Sequence, residues 1–326
     1  MARTVIPIYS TIDLPHFDAN KALGQVRYEL ETYVIENGVK KTRAKSGPSP
    51  NLVTNLGLDH LAVGNTIEWC RVARGTTPPT PSDTDVVDFV AASSLRISTN
   101  YNAAVTPPYF GYMRRVYRFT PGQAGSSGVN LGSVALSYAP NNGACSHSLI
   151  RDYNMQPTVL PWLPEEYLDV TADARLYAPT DTRTTVHTVN GVETTFVVKP
   201  ALVDQGIYWN PISLLDFGAD FNTYGNAFWA CAAFSGSVSG SLTGMPSGTL
   251  SPALSWVTEA YVPGSYQKGF SVYFGLDEGN FLGVGIHSLL LMTNLGAYQI
   301  SVDPPIMKQN IHTLSLTFNI PWEAMS

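Results

Sequence analysis

The sequence predicts a mainly β protein: two tandem, related β-sandwich domains of jelly-roll-like type, one short helix and an extended N-terminal arm. Three observations predict it. Apolar and polar residues alternate with a period of two over long stretches, as in strands with one buried face. The pairs Asn37-Gly38 and Asn190-Gly191 sit between such stretches and mark two-residue hairpin turns, whose type I′ geometry needs positive φ at both positions. Finally, one composite pattern occurs twice: an aromatic-rich strand, a turn with Asn and Gly, an apolar strand, a Pro-containing hinge and an alternating final strand. In the first copy these are Tyr112–Phe119, Asn130-Leu131-Gly132, Val134–Leu136, Val159-Leu160-Pro161 and Leu168–Tyr177. In the second they are Tyr266–Phe274, Gly279-Asn280-Phe281, Val284–Met292, Val302-Asp303-Pro304-Pro305-Ile306 and Leu314–Trp322.

Taken in order, residues 1–24 contain Pro7, Pro15 and Gly24 with little periodicity and read as the arm, either embracing a neighbour or forming a plain terminus. The first sandwich is expected over 25–200. In it Val26, Tyr28, Leu30, Thr32 and Val34 share one strand face, and Val39–Ala44 returns after the Asn37-Gly38 turn. Asn51–Val63 has helical spacing, with Asn51 as N-cap and Gly64 just past the end. A strand follows at Ile67–Ala73, then a Pro-rich loop at 75–82, and Asp83–Val90 reads as a helical turn. The hairpin around Asn190-Gly191 is either an exposed flap or the completion of the first sandwich. The second sandwich is expected over 201–326. Within it, Ser235–Pro252 has the Ser/Gly composition of a long flexible surface loop.

Of the 326 residues, 44% are hydrophobic, enough for ordinary cores, and only 13% are charged. Typical globular chains carry about a quarter charged residues, so this surface fits coverage by neighbouring subunits or a neutral Ser/Thr/Asn exterior. The net charge of -6 argues against sequence-independent nucleic-acid binding. Lys40, Lys41, Arg43 and Lys45 form a basic cluster that reads as a solvated strand face. Cys70, Cys145 and Cys231 form no metal or redox motif and read as small buried residues of a protein made in a reducing cytosol. No secretory-signal pattern and no apolar run near the ~20 residues of a membrane span is visible, so no membrane insertion is expected.

The sequence points to no catalytic, cofactor-binding or metal-binding residue. His16, His60, His147, His187, His287 and His312 form no zinc signature, and His287 reads as a structural histidine. The carboxylate pairs Glu165-Glu166 and Asp277-Glu278 lie in expected turns and read as solvated. Nucleophile-elbow and phosphate-loop patterns are absent. The candidate interaction surface combines Tyr208, Trp209, Phe221, Tyr224 and Trp229 with Ser237, Ser239 and Ser241. Those aromatics suit core packing and interfaces, or stacking on sugars.

One ordered set of segments runs Asn51–Asp59, Cys70–Gly75, Pro78-Pro79, Ser82-Asp83-Thr84, Ser148–Asp152, Tyr167–Val170 and Arg175-Leu176-Tyr177, then Gly279-Asn280-Phe281, Tyr298-Gln299, Asp303–Ile306, Lys308 and Leu316–Trp322. In their order and spacing these segments resemble a family of structural proteins of tailed bacteriophages encoded among tail, baseplate and fibre genes. The resemblance implies a non-enzymatic virion subunit of the tail tip, baseplate or fibre-attachment apparatus, made in the bacterial cytoplasm. It would form a homo-oligomer and contact other tail proteins. The alternatives are a receptor- or glycan-binding fibre module that meets the host surface, and a head decoration or neck collar protein. A tail glycan hydrolase is the enzymatic alternative.

Overall fold

The structure is a computed structural model of the chain and describes residues 10–18, 22–63, 67–104, 110–177, 181–201, 231–242, 244–293 and 296–324. It is mainly β, with 58% strand and 3% helix, and the described residues contain one helix. The elements begin with β1 (Ser10–Asp18), β2 (Ala22–Glu36), β3 (Val39–Lys45), β4 (Ser49–Pro50), β5 (Leu52–Val53), α1 (Asn55–Val63), β6 (Trp69–Ala73), β7 (Phe89–Ser93) and β8 (Arg96–Ala104). They continue with β9 (Phe110–Phe119), β10 (Val129–Leu131), β11 (Ser133–Ser137), β12 (Ala144–Leu149), β13 (Leu160–Trp162), β14 (Tyr167–Tyr177), β15 (Arg183–Val189) and β16 (Val192–Ala201). The last are β17 (Cys231–Phe234), β18 (Leu250–Pro252), β19 (Ser255–Thr258), β20 (Gln267–Phe274), β21 (Ile286–Thr293), β22 (Gly296–Ile306) and β23 (His312–Ala324).

The chain divides into two compact units. The N-terminal unit holds Leu23–Tyr177 together with the chain from Trp322, and the C-terminal unit holds the described residues from 181 to 321 together with β1.

In the N-terminal unit, one antiparallel sheet runs β2-β14-β9-β8, with β3 and β4 on the other side of β2. A second runs β5-β12-β11-β6-β7. Alternation decides which side chains point inward. Tyr28 and Leu30 of β2, Tyr117 and Phe119 of β9 and Leu168 and Val170 of β14 meet Cys70 and Val72 of β6 and Val134 and Leu136 of β11 in one core. Strands β11 and β12 are buried along their whole length. Their far face is covered by α1 and by the segment 75–88, where Val86 packs on Ala73, Ala135 and Ala144. A Cβ at Gly57 would run into the Cys145 carbonyl, so glycine lets the helix lie close to β12.

In the C-terminal unit, one sheet runs β15-β16-β22-β21-β17-β18. In the other, β23 pairs antiparallel with β20, which pairs with β19, and parallel with β1. Leu314, Leu316, Phe318 and Ile320 of β23 and Phe270, Val272 and Phe274 of β20 are buried, as alternation requires.

The two copies of the composite pattern use the same pairing. In the first, β9 and β14 pair with Phe119 opposite Leu168; in the second, β20 and β23 pair with Phe274 opposite Leu314. In each, the intervening apolar strand, β11 or β21, lies in the other sheet of its unit. The fourth element differs. Val159-Leu160-Pro161 leads into β13, which pairs with β10, whereas the expected hinge Val302–Ile306 is the end of β22, with Val302 opposite Phe196 and Ile306 opposite Ile286.

Several local expectations change. Residues 10–18 of the expected arm form β1. The hairpin β15–β16 is held by its second strand: β16 pairs with β22, so the hairpin groups with the C-terminal unit and not with Leu23–Tyr177. The helix starts at Asn55, because Leu52-Val53 pairs with β12 and Thr54 caps it in place of Asn51. The Thr54 hydroxyl accepts from the Gly57 N–H at 3.0 Å and donates to the Ala144 carbonyl at 2.7 Å, closing a helix end and fixing it to β12. Phe89 and Val90 of the expected helical turn begin β7. Glu166 is buried rather than solvated: its carboxylate accepts from the Leu163 N–H at 2.9 Å and its carbonyl from the Trp162 indole at 3.0 Å. Both hairpin turns have the expected positive φ, 52° and 78° at Asn37-Gly38 and 51° and 78° at Asn190-Gly191. All three cysteines are free and buried, and burial pushes the Cys145 thiol up to about 12.

Thr54→Ala removes a helix cap and leaves the Ala144 carbonyl without its donor. It should lower the stability to urea unfolding by about 1–2 kcal/mol with the denaturant slope unchanged.

Candidate interaction surface

Of the sequence-selected surface residues, Tyr208, Trp209, Phe221, Tyr224 and Trp229 lie outside the described residues. Ser237, Ser239 and Ser241 lie together on one loop, which leaves β17 and returns to β18 in the C-terminal unit. Its composition suggests a flexible segment, but hydrogen bonds hold it. At its base the Ser235 N–H donates to the Thr249 carbonyl at 3.0 Å, and the Thr249 N–H donates to the Ser235 hydroxyl at 2.8 Å. Further out, the Ser247 N–H donates to the Ser237 carbonyl at 2.9 Å.

The loop is pinned to the sheet beneath by three side chains that the sequence reading did not select. Gln299 of β22 is 0% exposed. Its Oε1 accepts from the Ser239 N–H at 2.8 Å and its Nε2 donates to the Gly244 carbonyl at 2.9 Å, so one amide holds both arms of the loop. Ser288 of β21, also buried, donates to the Gly236 carbonyl at 2.6 Å. Lys199 of β16 donates to the Ser239 carbonyl. The signal that could have found two of them is a polar residue inside an apolar run: Gln299 between Tyr298 and Ile300, and Ser288 ahead of Leu289–Met292. Buried polar groups of this kind need partners, and the loop backbone supplies them. Ser237, Gly240, Ser241 and Ser247 remain exposed at the surface of the pinned loop.

In the N-terminal unit, the outer face of the β2–β14–β9 sheet holds charge in closed pairs. Arg118 grips Asp169 through two bonds of 2.8 and 2.9 Å and lies against the stacked rings of Tyr33 and Tyr167. Arg114 and Arg175 both donate to Asp173, at 2.9 and 3.1 Å. Burial would raise the Asp173 carboxyl, but the hydrogen bonds and charges of Arg175 and Arg114 outweigh it and hold it below its ordinary value. The basic cluster on β3 is solvated as expected and faces acids of β2: Lys40 on Glu31 at 2.8 Å, Arg43 on Glu36 at 3.0 Å and Lys41 on Glu36.

Under the segment 75–88, Arg71 is fully buried, paired with Asp85 and set over the Phe89 ring at 4.7 Å. His147 Nδ1 meets Asp83 at 2.9 Å. Across the sheet Arg71 and His147 both neighbour Ala135, so two buried polar groups tie the segment down side by side. A cleft of about 350 Å³ in the same unit is lined by Thr76, Gly132, Leu149, Pro157, Thr158 and Val159, none of which titrates. Among the described residues, no three of His, Cys, Asp or Glu come together as a metal site.

Comparison with known proteins found no matching family model, curated protein or solved structure.

Gln299→Leu leaves the Ser239 N–H and the Gly244 carbonyl unpaired, at about 1–3 kcal/mol each where they stay buried. The Ser239 amide should exchange with deuterium at least about tenfold faster, a change of about 1.4 kcal/mol, while amides of β20 and β23 keep their rates.

Proposed function

We propose that the chain is a non-enzymatic structural subunit of a tailed-bacteriophage virion, in the tail tip, baseplate or fibre-attachment apparatus, assembling with itself and with neighbouring tail proteins. The observation that carries the reading is where the polar residues of the family-like segments go. Arg71 meets Asp85, Asp83 meets His147, Asp169 meets Arg118, and Arg175 meets Asp173. Lys308 Nζ donates to Asn280 Oδ1 at 3.0 Å, and Gln299 holds the Ser/Gly loop. Each closes a loop or strand onto its own unit, which is the work of a scaffold. What such a scaffold offers a neighbour is shape and apolar area: Leu282 is 94% exposed, and Leu254, Val257 and Val262 are also exposed, all in the C-terminal unit.

A receptor- or glycan-binding module is favoured by one feature, a pinned loop that exposes Ser237, Gly240 and Ser247, since a preorganised loop loses little entropy on binding. A glycan array with the purified chain, together with competition against phage adsorption, separates this reading from plain scaffolding.

Electron microscopy of virions carrying a gold-labelled tag on this chain should place the label at the tail end of the particle. Label on the head or neck would move the subunit to the decoration or collar alternative. Label absent from every particle would sink the virion reading.

A further inference from the structure

An exposed sheet edge presents unpaired backbone N–H and C=O groups, and proteins that stay apart blunt such edges with charge, proline, bulges or short strands. Among the described residues, the sheet edges follow that rule with one exception. Strand β3 carries Lys40, Lys41, Arg43 and Lys45, and its register slips between Thr32 and Tyr33 of β2. Register slips also break β8 and β7 where they meet their neighbours. Strand β1 contains Pro15 and a slip between Asp13 and His16. Strand β5 has 2 residues, β19 has 4, and β18 has 3 and ends in Pro252.

Strand β15 has none of these devices. It is 7 residues long, pairs with β16 in unbroken register from Arg183–Val198 to Val189–Val192, and reads Arg-Thr-Thr-Val-His-Thr-Val. That sequence is rich in β-branched residues, holds no proline and has one charge, at its start. Among the described residues its ladder runs to β16 alone; β1 comes near but pairs with β23. The Asn190-Gly191 turn makes Val189–Val192 the hydrogen-bonded pair next to it, so alternation turns the backbone groups of Thr184, Val186 and Thr188 outward.

We propose that β15 is the self-association edge of the protein, pairing antiparallel with β15 of a second copy about a two-fold axis through Val186. The strand is complementary to itself in that register. Thr184 falls opposite Thr188 of the second copy, Thr185 opposite His187, and Arg183 opposite Val189, so no like charges face each other. The Thr185 hydroxyl oxygen and His187 Nε2 are both buried without a hydrogen-bond partner, and the two-fold sets those residues across from each other. Antiparallel Thr pairs and Thr–His pairs are favourable cross-strand neighbours, and an isologous contact closes on itself as a dimer. The edge carries this inference without the virion reading; it gives the proposed self-assembly a location, and its test on purified protein can fail while that reading stands.

Val186 is 53% exposed and is its own partner on the axis, so a charge there meets its copy with little disturbance to the subunit. Sedimentation of the full chain should show a self-associating species. Val186→Lys and Val186→Glu should each weaken association by at least about tenfold, since like charges are set face to face, with the circular dichroism spectrum unchanged. Mixing the two variants should restore association, because each then meets its opposite. A wild-type chain that stays monomeric, variants that associate as the wild type does, or a mixture that fails to recover would each overturn the proposal.

Discussion

Each unit depends on a late strand returning to pair with an early one. Strand β14 comes back to β9 after β10–β13, and β23 comes back to β20 after β21 and β22. The pairings are long, antiparallel and set in equivalent register, with Phe119 on Leu168 and Phe274 on Leu314. Closing so long a loop costs chain entropy, recovered only if the returning strand buries one full face. It does: Leu168, Val170 and Ala172 on β14 and Leu314, Leu316, Phe318 and Ile320 on β23 are all buried. Once the outer pair is closed, the apolar strand between its members has a core face to pack on, and β11 and β21 take up the second sheet of each unit.

The polar residues follow from that layering. A sheet covered on both faces leaves its interior polar groups no water, so each must find a partner or remain a liability. Arg71 Nη1 and His147 Nδ1 find theirs in Asp85 and Asp83 on the covering segment, while Arg71 Nε and Nη2 and His147 Nε2 stay buried without one, and Gln299 and Ser288 find theirs in the backbone of the Ser/Gly loop. The bonds that are made hold the loops still. On the outer face of the β2–β14–β9 sheet, the charges of Arg118, Arg114 and Arg175 are likewise closed in ion pairs with Asp169 and Asp173.

The elements whose cause is local were legible in the sequence. Both Asn-Gly turns and the alternation of Leu168–Leu176 and Leu314–Trp322 need only backbone sterics and a two-residue period. What was missed depends on partners remote in sequence. Thr54 replaces Asn51 as the helix cap because the Ala144 carbonyl sits beside it. The β15–β16 hairpin groups with the C-terminal unit because β22 offers β16 an edge. Val302–Ile306 stays a strand despite two prolines because Phe196 and Ile286 lie opposite. The Ser/Gly loop looked free because nothing in residues 235–252 reveals that Gln299 lies beneath it, and the aromatics from 208 to 229 lie outside the described residues.

The claim that a returning strand organises each unit is tested most directly by native-state hydrogen exchange, resolved to short peptides by mass spectrometry. The slowest peptides should come from β9 and β14 in one unit and from β20 and β23 in the other, although the members of each pair are far apart in sequence. Slow exchange confined to the Asn37-Gly38 and Asn190-Gly191 hairpins, with β14 and β23 exchanging as fast as loops, would contradict it.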